Sequence, residues 1–314
     1  MICLSPCVRL VRALVLLVAL VLPASAGRAA EPDPALAPPG HGWRELTFTA
    51  TRFTAALSVR LRIEPVVADA EGANRPAAGR ADGCGEPGED EQQLTVVLSS
   101  RGPGLNNRYE ERVCFAPADS SLRARVRRNR EGDPWLKRYC REAAGVRRFT
   151  IEPAEAGEEG LAPAIWTERE TSFYPFPAEL AGCGEVSDPA LILHLLAHRP
   201  VLPEQPLVLC VFGRQHLHRL TLRSVGTEPL QPNYTQLAAG REQTVTEQVE
   251  AEVYALASEP LPAPGQAAEP FSLLGLRRDI RIHLHPQSRL PLRVSGSAGL
   301  FGTVTLNLEQ ARVD

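Results

Sequence analysis

Two histidine pairs, His216-Leu217-His218 and His283-Leu284-His285, have the residue type and spacing to hold a metal. Residues i and i+2 of a strand share a face, so each pair presents two imidazoles together. Two such pairs meeting in space would make a zinc or copper site with neutral imidazole ligands. His194 and His198 are four apart and share one helix face. The competing reading is that each histidine occupies the polar side of a half-buried strand. His283 and His285 alternate with Ile282 and Leu284, which fits that reading, so no metal is favoured.

A second group is cationic. Arg123, Arg125, Arg127, Arg128, Arg130, Lys137, Arg138, Arg141, Arg147 and Arg148 crowd one stretch. Leu122, Ala124 and Val126 alternate with Arg123, Arg125 and Arg127. A strand there would put the leucine on one face and the guanidinium groups on the other. Together with Arg138, those three arginines form a candidate surface for phosphate, carboxylate or lipid headgroups, which arginine binds bidentately. The competing reading is a solvated sheet face, cross-paired with Glu110, Glu111, Glu142 and Glu152. No catalytic constellation is present. HExxH, G-x-S-x-G, GxGxxG and the Walker pattern are all absent. The chain reads as a non-enzyme without a cofactor.

The elements that must position these groups are strands. Leu57, Val59, Leu61 and Ile63 alternate with Ser58, Arg60 and Arg62, and Ile280, Ile282 and Leu284 alternate with charged neighbours. That period of two marks half-buried β-strands. Ser187-Asp188-Pro189 supplies a cap and a first-turn proline for one helix over Ala190–His198, ended by Pro200. Gly213-Arg214 predicts a hairpin between strands at Pro206–Phe212 and Gln215–Arg223. Residues 226–241 read as loop. The fold class is mainly β: an antiparallel barrel or half-barrel of about ten to twelve strands around one helix.

Arg9 and Arg12 precede the apolar run Ala13–Leu22, followed by Pro23 and Ala24-Ser25-Ala26. This is the pattern of a secretory signal over residues 1–26, with cleavage after Ala26 or Ala30. The run is about half of the ~20 residues needed to span a bilayer. The organisation is then a leader at 27–42 and one β-rich domain at 43–314, its halves 43–152 and 165–310. The expected place is the periplasm, with no membrane span after cleavage. The net charge of −3 argues against a nucleic-acid partner. An oxidising compartment permits disulfides. Cys114–Cys140, in consecutive strand-like segments, is the first pairing expected. Cys84–Cys183, each in a Gly-Cys-Gly-Glu setting, is the second. Cys210, inside the apolar run Leu207–Phe212, reads as a buried free thiol.

Ser187-Asp188-Pro189-Ala190-Leu191-Ile192-Leu193, the hairpin Val208–Arg223, and Ile280-Arg281-Ile282-His283-Leu284 with Arg289-Leu290-Pro291-Leu292-Arg293-Val294 carry a family resemblance. Over residues 165–310 the chain resembles an uncharacterised periplasmic family, domain of unknown function 3108. Such proteins look like relatives of the lipoprotein-carrier fold (LolA/LolB-like), a curved antiparallel sheet enclosing an apolar cavity. The resemblance implies no catalytic residues. The leading expectation is therefore a carrier for a lipid or other envelope amphiphile, its cavity lined by Leu191, Leu195, Val208, Ile282 and Leu284 and gated by the helix. The alternative is a scaffold that docks an envelope protein through the arginine face.

Overall fold

The computed structural model describes residues 42–52, 55–66, 84, 90–102, 105–129, 131–155, 157–177, 185–261 and 268–313. The signal-like segment, the leader up to residue 41, and Cys183 lie outside them. The first half is a run of strands: β1 (Trp43–Arg52), β2 (Ala55–Pro65), β3 (Gln92–Gly102), β4 (Leu105–Ala116), β5 (Ser121–Asn129), β6 (Trp135–Glu142), β7 (Gly145–Glu152) and β8 (Glu168–Pro175). The short β9 (Val186–Ser187) then leads into the helix α1 (Ile192–His198). The second half continues with β10 (Leu207–Phe212), β11 (Leu217–Leu230), β12 (Tyr234–Ala238), β13 (Arg241–Val245), β14 (Val249–Leu261), β15 (Arg278–Leu284), β16 (Pro291–Ser297) and β17 (Thr303–Val313).

Strand registers give one continuous order. From β8 the sheet runs back through β7, β6, β5, β4, β3 and β2 to β1. The last strand, β17, pairs the other side of β1, and the order continues through β16, β15, β14, β11 and β10 to β9. Along this order every pair is antiparallel except β10 with β9. The hairpin β12–β13 adds to the second half of β17, in parallel, beyond the end of β16. Among the described residues the edge strands β8 and β9 do not pair, so the sheet is open. The sequence expectation of a mainly β half-barrel holds, with more strands than expected. Part of the excess comes from residues 226–241, which continue β11 and form β12 and the start of β13 instead of a loop, and part from β8 and β9.

The sheet curls until its edge strand β9 meets the start of β5. The Ser187 hydroxyl donates to the Ser120 carbonyl at 2.7 Å, joining β9 to the start of β5. Inside the curl sits the helix. Asp188 caps the turn before it, accepting from the Ala190 N–H at 2.8 Å, with Pro189 in the first position. Ile192 to Leu196 are all buried, so the element is held by tertiary packing and not by its short length. Its last turn is capped by Arg289, which donates to the Leu196 carbonyl at 2.7 Å and to Glu252 at 2.6 Å. One core cluster draws residues from both halves, from Leu46 and Phe48 to Leu306 and Leu308. A small second cluster, Leu136, Ile151 and Trp166, lies apart from it and is joined by Val126.

The disulfides correct the sequence expectation. Cys84 bonds Cys140, which excludes both Cys114–Cys140 and Cys84–Cys183. Cys210 is disulfide-bonded, and Cys114 is the free thiol among the described residues. The reason is the pleat: Cys114 and Cys140 both register with Ala124, so β5 lies between them. Burial pushes the Cys114 thiol up to about 11, which leaves it poorly reactive.

Candidate functional site

The site begins with a β-bulge. In the pairing of β4 with β5, Phe115 faces Leu122 but Cys114 faces Ala124, so Arg123 is an extra residue. A bulge shifts the alternation by one. Leu122 is in the core, yet after the bulge Arg125 and Arg127 turn inward, while Val126 joins the second cluster. The expected face of Arg123, Arg125 and Arg127 is thereby broken. Arg123 is exposed beside Glu91. Arg138, on the opposite side of β6 from Lys137 and Tyr139, lines a separate depression with Phe149 and Arg169. The four arginines proposed as one anionic-surface patch therefore do not form one.

What the bulge creates is a cleft of about 730 Å³ on the concave side. Its floor is built by adjacent strands: Tyr109 and Glu111 from β4, Arg125 and Arg127 from β5, Trp135, Lys137 and Tyr139 from β6, and Arg148 from β7. Val96 and Leu98 of β3 add an apolar wall. Across from them stand the β10–β11 turn, with Gly213, Arg214 and Gln215, and the segment Glu269–Arg277, which contributes Leu274. Six basic side chains line the cleft against two carboxylates, Glu111 and Glu269. That excess of four positive charges sits in a chain whose net charge is −3.

Arg125 anchors the floor. It is 2% exposed and donates to Asp188 at 2.9 Å, to the Phe212 carbonyl at 3.0 Å and to the Gly213 carbonyl at 2.5 Å. Its guanidinium lies 4.1 Å over the Tyr139 ring. A buried charge needs this density of partners, because removing it from water costs several kcal/mol. The result is a tie between β5, the helix cap and the β10–β11 turn. Burial pushes the Asp188 carboxyl up, against the pull of Arg125 beside it.

Next to this anchor is a stack of aromatic and cationic groups. Tyr109 donates to Glu111 at 2.6 Å and receives the Arg127 Nε–H. Burial first, then the Glu111 charge, raise the Tyr109 phenol well above its usual range, so it stays a neutral donor. Arg127 lies 4.9 Å over the Tyr109 ring, Lys137 4.9 Å over Trp135, and Arg148 5.1 Å over Tyr174. Such cation–π contacts help hold the cations in place; Arg148 also donates to the Ser172 hydroxyl at 3.3 Å.

The other sequence candidates fall elsewhere. Leu191, Leu195, Ile282 and Leu284 are buried as expected, but they belong to the main core and do not line the cleft. Val208 is 42% exposed, so its expected burial is wrong: in β10 Leu207, Leu209 and Val211 pack on the core, and Val208 lies on the other face of the strand. The interior at that end is filled by the chain's own side chains and the helix, as small barrels commonly are. The helix is a core element, and the turn before it contributes Pro189 and Ala190 to the cleft.

The histidine pairs do not assemble. His216 and His218 stack at 4.8 Å, and His216 Nε2 accepts the Glu269 N–H at 3.1 Å. His283 contacts Glu228 at 3.1 Å. His285 accepts from the backbone N–H groups of Gln287 and Ser288 in the turn after β15. Among the described residues no three His, Cys, Asp or Glu side chains converge as a metal site. Tyr109, Trp135, Tyr139, Lys137 and Arg148 were missed as a group. The alternation Trp135-x-Lys137-x-Tyr139 was the available signal, but only the bulge in the neighbouring strand turns it toward Arg125. No family model, curated protein or solved structure matches this chain.

Proposed function

We propose that this is an exported, non-catalytic binding protein that holds an anionic amphiphile in the cationic cleft. The observation that carries the reading is the composition of the cleft: an excess of positive charge beside the apolar Val96, Leu98 and Leu274, with aromatic rings between. A volume of about 730 Å³ falls in the usual range for small-molecule sites. The charged floor takes the head of such a ligand, and the wall from β3 takes its apolar part. The signal-like start of the chain and the bonded Cys84, Cys140 and Cys210 support export to an oxidising compartment, the periplasm.

Native mass spectrometry of the protein recovered from the periplasm without detergent tests both parts. The expected result is a chain beginning at Gly27 or Glu31 with an acyl-bearing adduct in one-to-one ratio. A bare chain that also fails to take up added fatty acid or lysolipid overturns the binding reading. A chain that retains residues 1–26 inside the cell overturns export.

A further inference from the structure

The floor of the cleft places three cations on three adjacent strands. Arg127 registers with Lys137, and Arg148 registers with Tyr139, two residues along from Lys137 on the same face. Neighbouring strands are about 4.8 Å apart and diagonal partners about 7–8 Å. Side chains as long as these reach a common point from such positions.

Each of the three has a carboxylate nearby, but at ion-pair distance only. Arg127 stands 3.6 Å from Glu111, Lys137 3.8 Å from Glu152, and Arg148 3.6 Å from Glu170. These exceed a hydrogen-bond length, so the pairs balance charge while leaving donor capacity. Glu170 is 63% exposed and Glu152 37%, so both are largely screened. Two further donors are orphaned. The buried Nε–H groups of Arg125 and Arg148 have no hydrogen-bond acceptor, and both residues line the cleft. An unpaired buried donor is costly.

A carboxylate offers about four acceptor sites, all in one plane, and a single negative charge. A phosphate monoester has three terminal oxygens in a tetrahedral spread and close to two negative charges at neutral pH. The second matches three cations reaching in from three strands better, in both charge and spread. We propose that Arg127, Lys137 and Arg148 seat a phosphate monoester, the head of the ligand held in this cleft. The inference rests on the anionic-amphiphile reading and narrows it to one head chemistry.

The test is titration of the full exported chain, followed by Trp135 emission, with four probes below their aggregation concentrations. They are an acyl lysophosphatidate, the fatty acid of the same chain, the matching uncharged monoacylglycerol, and glycerol phosphate. Trp135→Phe identifies which emission change comes from the cleft. The lysophosphatidate should bind about tenfold or more tighter than the fatty acid. In Lys137→Gln with Arg148→Gln that advantage should vanish while monoacylglycerol binding is unchanged, and Arg148→Lys should restore part of it. Equal binding of glycerol phosphate and lysophosphatidate keeps the phosphate seat and removes the amphiphile. Fatty acid binding as tightly as lysophosphatidate overturns the phosphate seat and keeps the amphiphile. No binding of any probe overturns both.

Discussion

Arg125 shows how one side chain ties three elements. Its charge is buried against Asp188 and two backbone carbonyls, so Arg125→Leu leaves the buried Asp188 carboxylate without its cation and removes a donor from two carbonyls. Breaking such a pair from one side should cost about 3–5 kcal/mol, read as a lowered urea midpoint. The histidines make a second prediction. Burial, helped by His198, holds His194 down to about 3, and burial, helped by His216, holds His218 down to about 4. Both lie below the unfolded value of about 6.5, so the unfolded chain takes up protons first. Their contribution is whole above pH ~6.5 and is lost as pH falls toward 4 and then 3, at up to about 1.4 kcal/mol per pH unit for each. His194→Phe should flatten part of that slope in urea titrations at successive pH values, since Phe115 and Trp43 already flank the ring. A slope unchanged by the substitution would remove His194 from the account.

At the scale of elements the bulge at Arg123 decides which face of β5 is which. Deleting Arg123 removes the extra residue and lets Ala124 follow Leu122 in plain alternation, so Arg125 and Arg127 should stay inward and Val126 outward. The stability loss should stay well below the roughly 3–5 kcal/mol of breaking the Arg125–Asp188 pair, and the charge in the cleft should be kept. Arg123→Ala keeps the bulge and removes only an exposed side chain, so its midpoint should stay within about 0.5 kcal/mol of the parent. A loss of about 3–5 kcal/mol in the deletion variant would mean that Arg125 had left its inward place and that Arg123 is not the extra residue. The helix was legible because its signals are local: Asp188, Pro189 and the apolar spacing act within one turn. The face of Arg125 was not, because an extra residue in one strand becomes visible only against its partner.

For the whole molecule, the closing element is β17, which pairs β1 along one edge and β16, then β12, along the other. A chain ended after Gly302 should therefore lose its single core and show no cooperative unfolding transition by near-ultraviolet circular dichroism. A sharp transition in that variant would mean that one half folds without the other. Alternation, cap residues and turn signals determined, by themselves, a mainly β chain with one helix and most of its strand positions, since these depend on neighbours two to four residues apart. They also marked the apolar positions Leu191, Leu195, Ile282 and Leu284 as buried. Tertiary structure decided the rest. Whether those leucines line a cavity or fill a core depends on how far the sheet curls, and Cys140 meets Cys84 instead of Cys114 because β5 runs between the latter pair. The cationic cleft exists because four consecutive strands, β4 to β7, bring Tyr109, Arg127, Lys137 and Arg148 to one concave face, a juxtaposition set by register across strands and invisible within any one of them.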